Sequence, residues 1–77
     1  MNQRPLYEIA RDIRRDWKNV NFAAEPYLQA MESLTSITNN YGYDSGSSIV
    51  LYFLSNANTW RGEVAKRIKL ELKSMLK

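Results

Sequence analysis

The apolar residues near both ends of this chain recur at steps of three and four positions. In residues 5–20 they are Leu6, Ile9, Ala10, Ile13 and Trp17. In residues 59–76 they are Trp60, Val64, Ile68, Leu72 and Met75. Because an α-helix has 3.6 residues per turn, each set falls on a single face, and we predict an amphipathic helix at each end. Pro5 suits the first helical position, where its missing N–H costs nothing.

The middle of the chain predicts two more helices. The second helix begins near residues 24–26 and ends at about residue 35, with one face made of Tyr27, Leu28, Met31 and Leu34. The third covers about residues 47–57, and its apolar run, residues 49–54, leaves no polar face. We therefore predict that the third helix is buried at the centre of the fold. A strand is the alternative for so short a run, but no other segment alternates as a pairing strand would.

A loop rich in turn formers, residues 38–46, separates the second and third helices. Asp44, Ser45 or Ser47 is suited to cap the third helix. The chain has 77 residues, enough for a single domain that spans residues 1–77. It has no cysteine, so packing alone must hold it together. The prediction is an all-α fold, a compact bundle of four helices with the apolar third helix at its centre.

The charges of the chain are segregated. All eleven lysines and arginines lie in residues 1–18 and 61–77, which also hold five acids and have a net charge of +6. Residues 19–60 contain no cation and have a net charge of −3. This pattern predicts that the terminal helices present positive charge to something outside the domain. The alternative is a solvated surface, with pairs such as Glu8 with Arg11 or Arg15, and Asp12 with Arg15.

The chain has no histidine and no cysteine. It therefore lacks the usual general base, the soft metal ligands and the thiol nucleophile. The serines at residues 45–48 have no imidazole to activate them, and no lysine follows their glycine as a phosphate-binding loop requires. Arginines interrupt the acidic stripe of the first helix, which favours surface pairing over metal binding; the stripe is Glu8, Asp12 and Asp16. We predict no enzymatic activity, no cofactor and no bound metal.

The candidate partner-binding residues are cations of the terminal helices and two loop tyrosines, namely Arg11, Arg14, Arg15, Lys18, Tyr41, Tyr43, Lys66, Lys69 and Lys73. Tyr41 and Tyr43 flank a glycine in a polar loop, where tyrosine is a common recognition residue. The alternative, and the more usual outcome, is that both pack back onto the third helix. Trp17 and Trp60 fall on apolar faces, so we expect them in the core, with a role as interface anchors as the alternative.

Two classes of function fit these features. A protein-binding module would use its charges to orient docking to an acidic partner, while a few aromatic side chains supply the affinity. A nucleic-acid-binding protein is the alternative. It could be a helix-turn-helix, with the start of its recognition helix formed by Asn56, Asn58, Thr59, Arg61 and Lys66. A protein that contacts phosphates without reading bases agrees better with the cations along the first and fourth helices. A third possibility is a homo-oligomer, in which the acidic stripe of one copy meets the basic fourth helix of another.

Three stretches carry a resemblance to known proteins, and they are Pro5-Leu6-Tyr7-Glu8-Ile9-Ala10, Asp16-Trp17-Lys18 and residues 49–61. In these, the chain resembles short uncharacterised proteins of bacteriophages and bacterial mobile elements. The resemblance implies a cytoplasmic accessory protein and favours a protein partner, but it implies no activity and no site residues. The longest apolar run is far shorter than the ~20 residues of a membrane span, so we expect a soluble protein without a membrane partner.

Overall fold

The computed structural model describes residues 4–76, which form four helices and two short strands. The helices are α1 (Leu6–Asp16), α2 (Glu25–Met31), α3 (Gly46–Ser55) and α4 (Glu63–Met75). The strands β1 (Asn40–Tyr41) and β2 (Asp44–Ser45) lie between α2 and α3. The mostly helical fold and its four helices are confirmed. No helix within residues 4–76 is long and apolar enough to cross a membrane.

The two strands form an antiparallel hairpin, so the prediction of a purely all-α fold is wrong. Asn40 pairs with Ser45, and Tyr41 pairs with Asp44. The loop between the strands has two residues, of which Gly42 has a φ of 64°. A positive φ at the first of two loop positions is a feature of tight hairpin turns and favours glycine. Strands of two residues are too short to show any alternation, so the sequence indicated only a loop.

All four helices contribute to one apolar core. The predicted face of α1 is entirely buried, and that of α4 is buried except for the partly buried Val64. Near its centre the rings of Trp17 and Trp60 stack with their centroids 5.6 Å apart, and Phe53 meets both rings edge-on. The indole N–H of Trp60 donates a hydrogen bond to Asp16 over 2.8 Å. The prediction that both tryptophans belong to the core is confirmed.

Helix α3 is buried on one side only. Ile49, Val50 and Phe53 are in the core, but Leu51 is 52% exposed and Tyr52 is 47% exposed. The prediction that α3 is buried all round is wrong, because the other helices cover only one face of this ten-residue helix. Its helical assignment is confirmed. Its cap is Ser45, whose side-chain oxygen accepts a hydrogen bond from the backbone N–H of Ser48.

The helix ends and connections differ in three places from the sequence-based expectation. Helix α2 ends at Met31, about four residues earlier than predicted. Pro5 is the residue before α1 rather than its first helical residue, and the free N–H groups of Leu6 and Tyr7 donate to the carbonyls of Thr35 and Leu34. Helix α4 begins at Glu63, four residues later than predicted, so residues 56–62 form the connection from α3.

Candidate functional site

Arg4 joins α1 to α4 by binding three carboxylates. Its guanidinium lies 2.6 Å from the nearest oxygen of Asp12, 2.8 Å from that of Glu71 and 3.4 Å from that of Glu8. The hydrogen bond from Arg4 holds the pKa of Asp12 below its ordinary value, although partial burial of the carboxylate opposes this effect. Asp12 was expected to pair with Arg15, but that contact is the longer one, at 3.7 Å.

Arg14 joins α1 to α2 in the same way. Its guanidinium lies 2.6 Å from Glu25 and 2.7 Å from Glu32, and it donates two hydrogen bonds to each carboxylate. The hydrogen bonds from Arg14 lower the pKa of Glu25. We proposed Arg14 as a partner-binding residue from the sequence, whereas the structure shows its charge engaged within the protein.

These two arginine clusters predict a dependence of stability on pH. Because the pKa values of Asp12 and Glu25 are lowered in the folded state, both carboxylates stabilise the fold above their ordinary pKa values. That contribution is lost as the pH falls through the lowered values. We therefore expect the free energy of unfolding to decrease below about pH 5, by less than about 1 kcal/mol for each partly exposed pair.

Urea unfolding followed by tryptophan fluorescence, repeated at several acidic pH values, measures this effect. In a double variant, Arg4→Met and Arg14→Met, the decrease at low pH should be smaller, because the hydrogen bonds that are the largest cause of the lowered pKa values of Asp12 and Glu25 are removed. The matched control is Arg11→Met, since Arg11 is exposed and makes no ion pair within residues 4–76. An unchanged pH dependence in the double variant would show that the two clusters do not stabilise the fold.

Lys69 is the second proposed binding residue that the structure engages internally. Its ammonium group donates hydrogen bonds to the carbonyls of Ala57 and Trp60 over 2.8 and 2.7 Å, and lies 5.8 Å from the centre of the Trp60 ring. Its burial, aided by Lys73 and Arg61, lowers its pKa. Lys69 therefore secures the connection between α3 and α4, and its charge is not directed outward.

The remaining described cations of the terminal segments are all exposed. We call these seven residues the outer cations; they are Arg11, Arg15, Lys18, Arg61, Lys66, Arg67 and Lys73. Within residues 4–76, the only ion pair that any of them makes is the 3.7 Å contact between Arg15 and Asp12. Five of the eight acids are taken up by Arg4 and Arg14, so few carboxylates are left to neutralise the outer cations.

Several outer cations lie next to one another. Arg15 of α1 and Arg67 of α4 line one open groove between the two helices. Arg67 and Lys66 line a second groove along α4, and Lys66 and Arg61 line a third at the start of that helix. Arg11 is one turn before Arg15 on α1. One arginine from each terminal segment, Arg15 and Arg67, therefore lies at the contact between α1 and α4, in a groove that Asp12 and Asp16 also line.

The two candidate tyrosines lie on the hairpin. Tyr43 is in the two-residue loop and fully exposed, and Tyr41 in β1 is 45% exposed. Neither belongs to the apolar core, and the full exposure of Tyr43 excludes the alternative that both tyrosines pack back onto the third helix. The hairpin holds Tyr43 in the open because the loop has no neighbouring element to cover it. Its role in binding stays a prediction.

Sequence reasoning missed further apolar side chains that are exposed. Phe22, in the turn before α2, is 93% exposed, and Leu70 on α4 is 59% exposed. Leu51 and Tyr52 on α3 were expected in the core. Leu70 could have been found from the sequence, because it follows Lys66 by four positions and so shares the polar side of α4. Phe22 belongs to no periodic stripe and gave no such signal.

The structure does not support the helix-turn-helix interpretation. The connection between α3 and α4 is seven residues long, whereas this motif uses a turn of three or four. Asn56 and Asn58 lie in that connection and not on a recognition helix. In the part of the chain that the structure describes, no three acidic side chains are arranged to hold a metal ion.

The chain was also compared with known proteins. No family model, no curated protein and no solved structure matches it. The residues and their geometry are therefore the basis for the function proposed below.

Proposed function

We propose that this protein is a non-catalytic binding module whose outer cations form a basic surface for an acidic protein partner. One observation carries the proposal. Two arginines, Arg4 and Arg14, hold five carboxylates within the fold, while seven other cations face outward with almost no ion pairs among residues 4–76. In this proposal the four helices act as a bundle that keeps the basic surface in place.

A protein partner agrees best with the mixture of charges around this surface. Asp16 and Glu63 are exposed beside the outer cations, and such acidic groups would oppose a close run of phosphates. Charge would steer the encounter, while exposed aromatic side chains such as Tyr43 would add affinity. We also propose that the protein is an accessory protein of a phage or mobile element, as its sequence resemblance implies.

A nucleic acid is the second candidate, and the Arg15–Arg67 groove favours it. Two helices each place one arginine in that groove, which Asp12 and Asp16 also line, and a protein that binds phosphates without reading bases would use such arginines. On duplex DNA, each phosphate contact adds about −0.9 to the slope of a plot of the logarithm of the binding constant against the logarithm of the salt concentration. A protein that uses several outer cations would therefore lose affinity for DNA steeply as salt is added.

The decisive variant neutralises the basic surface on α1 without touching Arg14. We expect Arg11→Gln, Arg15→Gln and Lys18→Gln together to weaken binding of an acidic partner at least about tenfold, because three exposed positive charges are removed. The fold should be retained, since all three side chains are exposed. Binding is measured by fluorescence anisotropy with labelled polyglutamate, single-stranded RNA and duplex DNA over a salt series.

A matched control separates the basic surface from net charge alone. The triple variant Ser33→Glu, Thr38→Glu and Asn40→Glu changes the net charge by the same amount at exposed positions that precede and begin β1. The control should bind polyglutamate nearly as well as the unmodified protein. Equal binding by the glutamine variant would refute the role of α1. Tight, salt-sensitive binding to DNA or RNA, with none to polyglutamate, would establish the second candidate instead.

A further inference from the structure

Helix α3 differs from the other three helices in its charge. Of the four helices within residues 4–76, it is the only one that contains no Asp, Glu, Lys or Arg. The charge-free stretch extends beyond the helix at both ends and covers residues 45–60. Leu51 and Tyr52 lie on the side of α3 that faces away from the core, and about half of each side chain is exposed.

We call this uncovered side the α3 outer face; its members are Ser47, Ser48, Leu51, Tyr52 and Ser55. The ring of Tyr52 packs against that of Tyr27 on α2, with the ring centroids 5.5 Å apart. This contact already restricts the Tyr52 side chain in the single chain. Burial of Tyr52 by a partner would therefore cost less conformational entropy than burial of a freely rotating side chain.

Two of the four side-chain hydroxyls on this face, those of Ser48 and Ser55, are hydrogen-bonded within the chain. The hydroxyl of Ser55 donates to the carbonyl of Leu51 over 3.1 Å, and the hydroxyl of Ser48 is bonded to that of Ser45 over the same distance. Polar groups that keep their hydrogen bonds on burial add little desolvation cost. The α3 outer face therefore combines exposed apolar area with no charged group, and a partner would need to satisfy the hydroxyls of Ser47 and Tyr52.

We propose that the α3 outer face binds the same face of a second copy of this chain, giving a two-fold symmetric dimer. In such a contact, side chains near the axis meet their own copies, so any charge there would oppose an identical charge. The protein has a net charge of +3, and its outer cations make two copies repel each other when α1 or α4 faces its equivalent. Helix α3 allows contact without that repulsion.

This dimer should be weak and should become stronger with salt. A ten-residue helix is only about 15 Å long, so its contact area is at the small end for specific interfaces. Salt screens the repulsion between the two positively charged copies. An association of the acidic stripe of α1 with the basic α4 of another copy would respond in the opposite way, because salt screens that attraction.

Sedimentation equilibrium of the full-length protein, over a range of protein and salt concentrations, tests the proposal. We expect the mass to rise from one chain toward two with concentration, and the dissociation constant to fall as sodium chloride is raised. Leu51→Glu should weaken the dimer at least about tenfold, because two like charges would meet across the axis. A protein that stays monomeric at millimolar concentration, or a dimer that salt dissociates, would overturn the proposal.

Two further variants guard against misfolding and against a general effect of charge. Ser47→Glu places an acid in the first turn of α3, where it favours the helix, yet it should also weaken the dimer. Leu70→Glu is the matched control, since Leu70 is also exposed but lies among the cations of α4. It should dimerise like the unmodified protein. Equal loss of the dimer in Leu70→Glu and Leu51→Glu would contradict an α3 contact.

Discussion

Replacement of Phe53 by alanine should lower the free energy of unfolding by about 3–5 kcal/mol, the range for large buried aromatic residues. Phe53 is completely buried and its ring meets the edges or faces of both Trp17 and Trp60 at centroid distances of 6.2 and 6.4 Å. The variant would lose the apolar contacts of the ring and leave a cavity beside the stacked pair of indoles. A small domain has a total stability of about 4–12 kcal/mol, so the variant would lose roughly a quarter of it or more.

Thermal and urea unfolding, followed by circular dichroism, measure this loss. Leu51→Ala is the matched control, because Leu51 lies two positions before Phe53 on the same helix but is about half exposed. The control should cost about 1 kcal/mol or less, since about half of the Leu51 side chain remains in water in the folded protein. If the two substitutions had equal effects, Phe53 would not be the central core residue that the structure indicates.

Gly46→Ala should destabilise the protein by about 1–3 kcal/mol, as overpacking of a tight site does. Alanine normally favours a helix over glycine by up to about 1 kcal/mol, so the expected sign is the reverse of the local preference. A Cβ atom at Gly46 would lie 2.6 Å from the carbonyl oxygen of Ile37 and 2.9 Å from its Cα. Backbone atoms cannot move aside as a flexible side chain can. The segment before β1 must therefore shift away from the start of α3.

Gly42→Ala separates this close contact from the conformational demands of glycine. Gly42 has a positive φ of 64°, but nothing lies within 4 Å of a Cβ built there. Its cost should be limited to the strain of that φ, roughly 1–2 kcal/mol, and confined to an exposed hairpin. The two variants should therefore differ in how they affect α3. Hydrogen exchange should show faster exchange in α3 for Gly46→Ala and not for Gly42→Ala.

The sequence does not show which cations of the terminal helices bind groups within the protein and which stay exposed. The sequence indicated both Arg14 and Arg15 as candidate partner-binding residues. In the structure Arg14 binds Glu32, which is 18 positions away, while Arg15 is exposed. Lys69 was grouped with its neighbours on α4 but binds carbonyls in the connection from α3. Adjacent positions on a helix point in directions about 100° apart, so tertiary packing alone decides which of them meets another element.

The sequence by itself determined the local features of this protein. The apolar periodicity placed α1 and α4 with their core faces, the serine at position 45 was identified among the possible caps of α3, and the segregation of charge was evident along the chain. Each of these depends on residues within a few positions of one another, where helix geometry is sufficient to relate spacing to direction.

Only the tertiary structure decided which side of α3 is covered, that Arg4 and Arg14 bind five carboxylates, and that α1 and α4 place Arg15 and Arg67 in one groove. It also decided that residues 40–45 pair as a hairpin. These features depend on distances between segments that are remote in sequence. Helical periodicity carries no information about such distances, because they are determined by how the apolar faces pack against each other.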